Sequence, residues 1–386
     1  MNIGLFLGHP AHFHMLKYAA QRLQSNGHNV NFVIKKKDIL QTLLDDAGYT
    51  YTIIRGDRGN KLIDLIGSVL GMEVNMCKFL KKKNIEVLIG STLSFASRVI
   101  MHVPTIIMGE DDDSVIPRYT NIVYPWASTI LTPVSCDNGR WNNKSTKYPS
   151  YHELAYLHPN HFRMDKKVVE SYGIDTKKTF FIIRFSSLNA YHDGGIRGIN
   201  TEIAQRLIDI LSPHGQIYIT SERELEPQFE PYRIRINPLD MHHVMAFASL
   251  YIGDSQTMAA EAGVLGTPFV RFNDFVGRIG YLRELEDVYQ LGHGIHATPL
   301  TEDSSIRRND GSLQPSGVEA LYDAVETLVA MPAEERRALY AARREKMLSE
   351  KIDYAKFLTW FIENYPDSQR QTRDNQQNNA FWAQFK

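Results

Sequence analysis

The order of apolar runs in this 386-residue sequence predicts an α/β protein built as two doubly wound parallel-sheet domains in tandem. Three observations carry that prediction. Short strand-like runs alternate with helical patterns from the first residue to about 108. A polar stretch without clear periodicity follows. A second alternating series then opens at Phe180.

In the first series, Ile3 to Leu7 reads as a strand, His14 to Ser25 as a helix, Asn29 to Ile34 as a strand and Asp38 to Ala47 as a helix. Tyr51 to Ile54 is a strand, Leu62 to Lys82 is helical, and Val87 to Ile89 and Thr105 to Met108 are strands. The segment 137–165, rich in Asn, Tyr, His and Pro, reads as an irregular interdomain connection. In the second series, Phe180 to Arg184, Gln216 to Thr220 and Arg233 to Ile236 read as strands, with Thr201 to Leu211 and Met241 to Phe247 as helices. Residues 317–330, 333–349 and the strongly apolar 352–365 are further helices. The tail, rich in Gln, Asn and Arg, reads as disordered. The resulting division is 1–165 and 166–350 for two Rossmann-like domains, 351–366 for a helix crossing back to brace the first domain, and 367–386 for the tail. Strand C-termini of two such domains are expected to face a central cleft.

A hydrophobic content of 43% fits a folded globular chain, and no apolar run approaches the roughly 18 residues a membrane span needs. The opening Met-Asn-Ile-Gly-Leu-Phe-Leu-Gly lacks the basic start of a secretory signal. Cys77 and Cys136 suggest neither a disulfide framework nor a metal cluster. The expected location is cytoplasmic. The net charge of −1 hides an asymmetry: residues 1–165 carry 18 basic against 14 acidic side chains, and the remainder 25 against 30. Lys35-Lys36-Lys37 and Lys81-Lys82-Lys83 are either solvated helix ends or a peripheral membrane contact through anionic lipid. Nucleic-acid binding is not expected, since neither a recognition motif nor an overall basic charge is present.

The most informative stretch is 249–272. Leu250 to Gly253 is a buried strand, Asp254 to Thr257 a polar turn, and Met258 to Leu265 a helix stopped by Gly266-Thr267-Pro268. A helix start presents unpaired N–H groups and partial positive charge, a natural seat for phosphate. Asp254, Ser255, Gln256 and Thr257 occupy that seat, and Glu261, one turn on, is placed to accept hydrogen bonds from a ribose. The plainer alternative is a βαβ turn in which Ser255 only caps the helix. Three histidines, His9, His12 and His14, follow the first strand, and an imidazole there is suited to take a proton from a hydroxyl. Glu110-Asp111-Asp112-Asp113 follows another strand; Glu110 and Asp111 are candidate catalytic acids for substrate hydroxyls, and no metal is expected. Arg184, with Ser186, is placed to meet phosphate, or else to form an ion pair. Ser91, His192, Arg271, Asn273 and Arg278 complete the candidate substrate contacts, with Tyr281 and Asp193 nearby.

Several of these stretches resemble the family named domain of unknown function 354: Gly8 to His14, Glu153 to Pro159, Arg184 to Ala190, Gly253 to Glu261 and Arg271 to Tyr281. The resemblance runs over roughly residues 1–365. It implies a GT-B-like fold and sugar-nucleotide chemistry in bacterial or archaeal surface-polysaccharide synthesis. The 254–261 turn is also similar to the nucleotide loop of the peptidoglycan N-acetylglucosaminyltransferase and of the UDP-N-acetylglucosamine 2-epimerase. By that likeness Ser255, Gln256 and Thr257 take the diphosphate and Glu261 the ribose. Likeness to inverting GT-B transferases makes His12 the base. The epimerase's His-Gly-Asp-Thr segment corresponds to Ile89-Gly90-Ser91-Thr92, where a hydroxyl replaces the reactive carboxylate, and Met108-Gly109-Glu110 keeps only part of its acid set. The expectation is therefore a metal-independent glycosyltransferase using a nucleoside-diphosphate sugar, preferably a UDP-sugar, as substrate, with no cofactor and a glycan or lipid-linked acceptor. The alternatives are a hydrolysing or non-hydrolysing sugar-nucleotide 2-epimerase and a non-catalytic sugar-nucleotide binder.

Overall fold

In the first sheet seven strands run parallel: β1 (Asn2–Leu7), β2 (Asn29–Lys35), β3 (Tyr51–Ile54), β4 (Val87–Ile89), β5 (Thr105–Met108), β6 (Thr129–Pro133) and β7 (Ser145–Tyr148). Their spatial order is β3-β2-β1-β4-β5-β6-β7. The second sheet holds β8 (Phe180–Phe185), β9 (Gln216–Ser221), β10 (Leu250–Gly253), β11 (Phe269–Asn273) and β12 (Gly292–His296) in the order β12-β11-β10-β8-β9, again parallel. The computed structural model describes all residues except 36–37, 55–61, 91–94 and 187–196; for 38 and 62–69 it describes the backbone.

Strands buried on both faces read as unbroken apolar runs. For that reason Phe-Phe-Ile-Ile-Arg-Phe in β8 and Leu-Tyr-Ile-Gly in β10 show no regular alternation of apolar and polar residues. Chain direction across each sheet reverses once, beside β1 in the first and between β8 and β10 in the second. Loops leaving such a switch point diverge and leave a crevice at the strand C-termini. The chain forms two compact units: residues Met1–His161 with Lys351–Lys386, and residues Phe162–Glu350. The divisions fall after His161 and after Glu350.

Helix Tyr354–Glu363 packs on helix Pro10–Ser25 within the first unit. Asp353 caps it by accepting from the Lys356 N–H at 3.1 Å, and also pairs with His161 at 2.9 Å.

Three expectations are corrected. Residues 137–165 are not an irregular connection: β7 lies within them, and Tyr148 and Tyr151 are fully buried in the first unit. Residues 233–236 form an isolated bridge, Ile219 to Arg233, rather than a strand; Pro231 and Pro238 withhold ladder donors on either side. Residues 367–386 are ordered, forming helices Asp367–Asp374 and Asn379–Ala383. Their polar composition masks three aromatic residues. Trp382 and Phe385 are buried with ring centroids 5.6 and 5.3 Å from Phe357, and Phe381 meets Trp360 at 5.5 Å. Arg373 donates to Thr146 Oγ1 at 3.2 Å and Gln376 to the Lys147 carbonyl at 2.7 Å, so the tail covers β7, the last strand of its sheet.

Removing the buried Phe385 ring leaves a cavity among these aromatics. Phe385→Ala is expected to lower the stability of the first unit by about 3 kcal/mol, read from urea unfolding followed by far-ultraviolet circular dichroism. An unchanged midpoint would return the tail to an accessory role.

Candidate functional site

The second unit concentrates polar groups where β8, β9 and β10 end. Strand register places Thr220, Arg184 and Gly253 in one row across these three strands. Gly253 is required by that row: a Cβ there would stand 2.6 Å from the Tyr251 hydroxyl and 3.0 Å from Arg184 Cβ. Asp254 follows, only 2% exposed, and its Oδ1 accepts the Ser186 N–H at 2.7 Å. That bond ties the end of β8 to the end of β10. Burial pushes the Asp254 carboxyl up, against the lowering effect of the Ser186 N–H.

Arg184 pairs with Glu222 through Nη2. Among the described residues, Arg184 Nε, Thr220 Oγ1, Tyr251 OH and Asp254 Oδ2 are buried with no hydrogen-bond partner. Buried polar atoms are almost always satisfied, so four open ones at one end of one sheet mark a place shaped for something polar.

Helix Gln256–Leu265 starts at this place. Ser255 is its N-cap, accepting from the Met258 N–H at 3.4 Å, and Gly266 closes it in the left-handed region at φ +84°. The cap leaves the Gln256 and Thr257 N–H groups without a helical carbonyl, because first-turn amides have none. Ten residues of aligned peptide dipoles add positive potential there.

Behind the turn lies a sealed network. Arg271 is 0% exposed; its Nε donates to Glu286 Oε1 at 3.0 Å and its Nη1 donates to Gln256 Oε1. Gln256 Nε2 donates to Asn273 Oδ1 at 3.2 Å, and Asn273 Nδ2 donates to the Asp254 carbonyl at 3.0 Å. Gly294 leaves room for the carboxylate, since a Cβ there would lie 2.7 Å from Glu286 Cδ. Arg271 and Asn273, expected as substrate contacts, are fully buried and hold the turn from behind instead. The Gln256 side chain joins them, so its expected phosphate contact rests on its main-chain N–H. Arg278 is exposed, and Thr257 is half-buried.

Glu261 lies one turn into the helix, 7% exposed, and its Oε1 is 2.9 Å from His242 Nε2. His242 sits on helix Met241–Phe247, nineteen residues earlier, and sequence reading does not single it out. The one signal for it is the His-His pair on a short amphipathic helix.

In the first unit the histidine loop follows β1 at the switch point. His9 is the N-cap of helix Pro10–Ser25, with Nδ1 accepting the Ala11 N–H at 3.3 Å. His12 Nδ1 accepts the Gly8 N–H at 3.2 Å. A neutral His12 therefore carries its proton on Nε2 and presents a donor there. His14 is buried, its ring 5.4 Å from Tyr156, as a core residue. Glu110 binds His152 twice, through the backbone N–H at 2.7 Å and Nδ1 at 3.1 Å. Asp111 is half-buried, whereas Asp112 accepts the Asp137 N–H at 2.9 Å and Asp113 accepts from the Thr120 hydroxyl. Ser91 and His192 lie outside the described residues, as do Lys36 and Lys37.

A family model described as "Protein of unknown function (DUF354)" matches residues 1–275. No curated protein matches the sequence. Among solved structures, the spinosyn rhamnosyltransferase SpnG complexed with spinosyn aglycone is similar over 94% of this chain and 100% of its own, at 15% identity and a TM-score of 0.56. The spinosyn forosaminyltransferase SpnP is similar over 94% and 98%, at 13% identity and a TM-score of 0.59. The UDP-GlcNAc 2-epimerase from Neisseria meningitidis bound to UDP-GlcNAc is similar over 96% and 100%, at 11% identity and a TM-score of 0.61. The fold is therefore that of the GT-B glycosyltransferases and the UDP-GlcNAc 2-epimerases.

Deleting the Arg271 guanidinium strands a buried carboxylate. Arg271→Ala is expected to cost about 3–5 kcal/mol in denaturant unfolding of the second unit. A loss below about 1 kcal/mol would show that the network is not what holds the turn.

Proposed function

Since the chain belongs to the DUF354 family and has the GT-B fold, we propose that it is a glycosyltransferase that moves a sugar from a nucleoside diphosphate, preferably UDP, to a glycan or lipid-linked acceptor. The observation that carries this reading is the N-terminus of helix Gln256–Leu265, open beside unpartnered buried polar atoms at the ends of β8, β9 and β10. Diphosphate matches this place in charge and in its demand for donors.

In this reading the Gln256 and Thr257 N–H groups bind the diphosphate, with Ser255 as the cap that aims them. Arg184 stabilises charge gathering on the leaving diphosphate oxygen as the glycosidic bond breaks. Glu261 accepts from the ribose hydroxyls, and His242 orients its carboxylate. The first unit supplies the acceptor side. His12 takes the acceptor proton on Nδ1, whose lone pair is freed when the ring turns away from the Gly8 N–H. The turn gives up the 3.2 Å bond from Gly8, a loss of about 1 kcal/mol. Acceptor binding repays it, as catalytic hydrogen bonds often form only in the reactive complex. Asp111 and Glu110 serve acceptor hydroxyls, Glu110 through its bond with His152.

Support for sugar nucleotides also comes from what the fold's neighbours hold. One structure of SpnG is complexed with thymidine diphosphate, and the epimerase holds UDP-GlcNAc. Epimerisation is the second reading. A hydrolysing epimerase predicts UDP and free sugar without any acceptor, and a non-hydrolysing one an epimeric UDP-sugar with no net UDP release, whereas transfer predicts UDP release only when an acceptor is present.

Glu261→Ala is expected to weaken UDP binding by tenfold or more in calorimetric titration, about the worth of a charged hydrogen bond. Unaltered affinity would remove the ribose role. His12→Ala is expected to abolish acceptor-dependent UDP release while leaving UDP affinity within about twofold; full turnover would exclude it as the base.

A further inference from the structure

One face of the first unit exposes apolar side chains that its own fold leaves uncovered. On helix Leu62–Lys82, Leu70 is 60% and Val74 is 54% exposed. The short π-helical segment Ala96–Ile100 packs against this helix, and Glu73 Oε2 accepts its Ala96 N–H at 2.7 Å. Phe95, Val99 and Ile100 project outward there, Ile100 at 59%. The Phe95 ring meets Trp126 edge-on at 4.8 Å, which brings helix Pro117–Val123 and its 59%-exposed Ile122 alongside. Large apolar residues scattered singly need no explanation, but six drawn from three adjoining elements do.

Basic side chains predominate among the elements that carry them. Lys78, Lys81 and Lys82 continue the exposed face of helix Leu62–Lys82 beyond Val74, Lys83 follows in the turn, Arg98 stands between Phe95 and Val99 in sequence, and Arg118 opens the helix bearing Ile122. All six are exposed. Arg98 also lies near enough to Lys144 to help lower that ammonium's pKa, after burial. Glu73 is the sole acidic residue in 65–85, and 87–109 and 114–136 contain none. Glu73 is itself turned inward onto Ala96.

We propose that this face docks the protein on an anionic lipid surface, with Leu70, Val74, Phe95, Val99, Ile100 and Ile122 entering the headgroup boundary and the Lys and Arg side chains meeting lipid phosphate. Stable interfacial binding draws on both halves, apolar area for insertion and cations for attraction, and either alone binds weakly. A protein partner would need matched shape and matched charge, whereas a bilayer asks only for this combination. No helix among the described residues is long and apolar enough to cross a membrane, so the contact is peripheral. The face belongs to the first unit and the proposed nucleotide site to the second, so the two can be tested independently.

The test is vesicle co-sedimentation of the full chain at low salt. Vesicles of phosphatidylcholine with about 30% phosphatidylglycerol are compared with phosphatidylcholine alone. The native chain is expected to pellet with the anionic vesicles only, and Val99→Glu/Ile100→Glu is expected to lower its partitioning by at least about tenfold. Lys81→Glu/Lys82→Glu is expected to do the same, with loss of binding at high salt. Melting temperature and UDP affinity are expected to stay native in both variants, separating lost docking from lost folding. Native chain remaining in the supernatant with both vesicle types would overturn the proposal. So would variants that pellet like the native chain. A native dimer in sedimentation velocity that Val99→Glu/Ile100→Glu converts to monomer would assign the face to a second copy and overturn it equally.

Discussion

A guanidinium with no exposed surface sets the geometry on which the second unit's site depends. Arg271 can be buried only because Glu286 neutralises it and Gln256 takes a further donor. Gln256 and Asn273 then fix the side chain and carbonyl that flank Ser255, so the start of helix Gln256–Leu265 is held from behind. Phosphate recognition by main-chain amides has no side-chain specificity to fall back on. It works only if the amides are already aimed before the ligand arrives, and in the proposed reading that is the task of this network. Breaking either half of the ion pair would leave a buried charge, so the turn and the pair stand or fall together.

Each sheet has its own switch point. In the second sheet the reversal between β8 and β10 gathers Arg184, Thr220, Asp254 and the helix start at one end of the sheet. In the first sheet the reversal beside β1 is followed at once by Gly8 and the histidine loop. The second-sheet set is drawn from three separate strands, whereas the first-sheet set is one contiguous loop, and both follow from parallel topology. The fold supports many reactions on such crevices, so the chemistry proposed here rests on the residues and not on the architecture.

Much of this is legible in the sequence because parallel strands bury both faces and announce themselves as apolar runs. β8 and β10, the Ser255 cap and the Gly266 stop are readable for that reason. β12 is not, since Gly292-His293-Gly294-Ile295-His296 carries little apolar signal and owes its place to pairing with β11. Arg271 and Asn273 invite a substrate role because they sit at a strand's C-terminus; sequence shows the strand end but not the Glu286 that arrives from fifteen residues further on. The His242–Glu261 bond is hidden for the same reason. The tail misleads by composition: abundant Gln, Asn and Arg outweigh three aromatic residues, yet packing is decided by those three. His12 is legible as a candidate, while the ring orientation imposed by the Gly8 N–H is not.

The most direct measurement is a crystal structure of the protein with uridine diphosphate bound. The diphosphate is expected within about 3 Å of the Gln256 and Thr257 main-chain nitrogens, with the ribose toward Glu261. Diphosphate density away from that helix start, with those amides facing solvent, would contradict it.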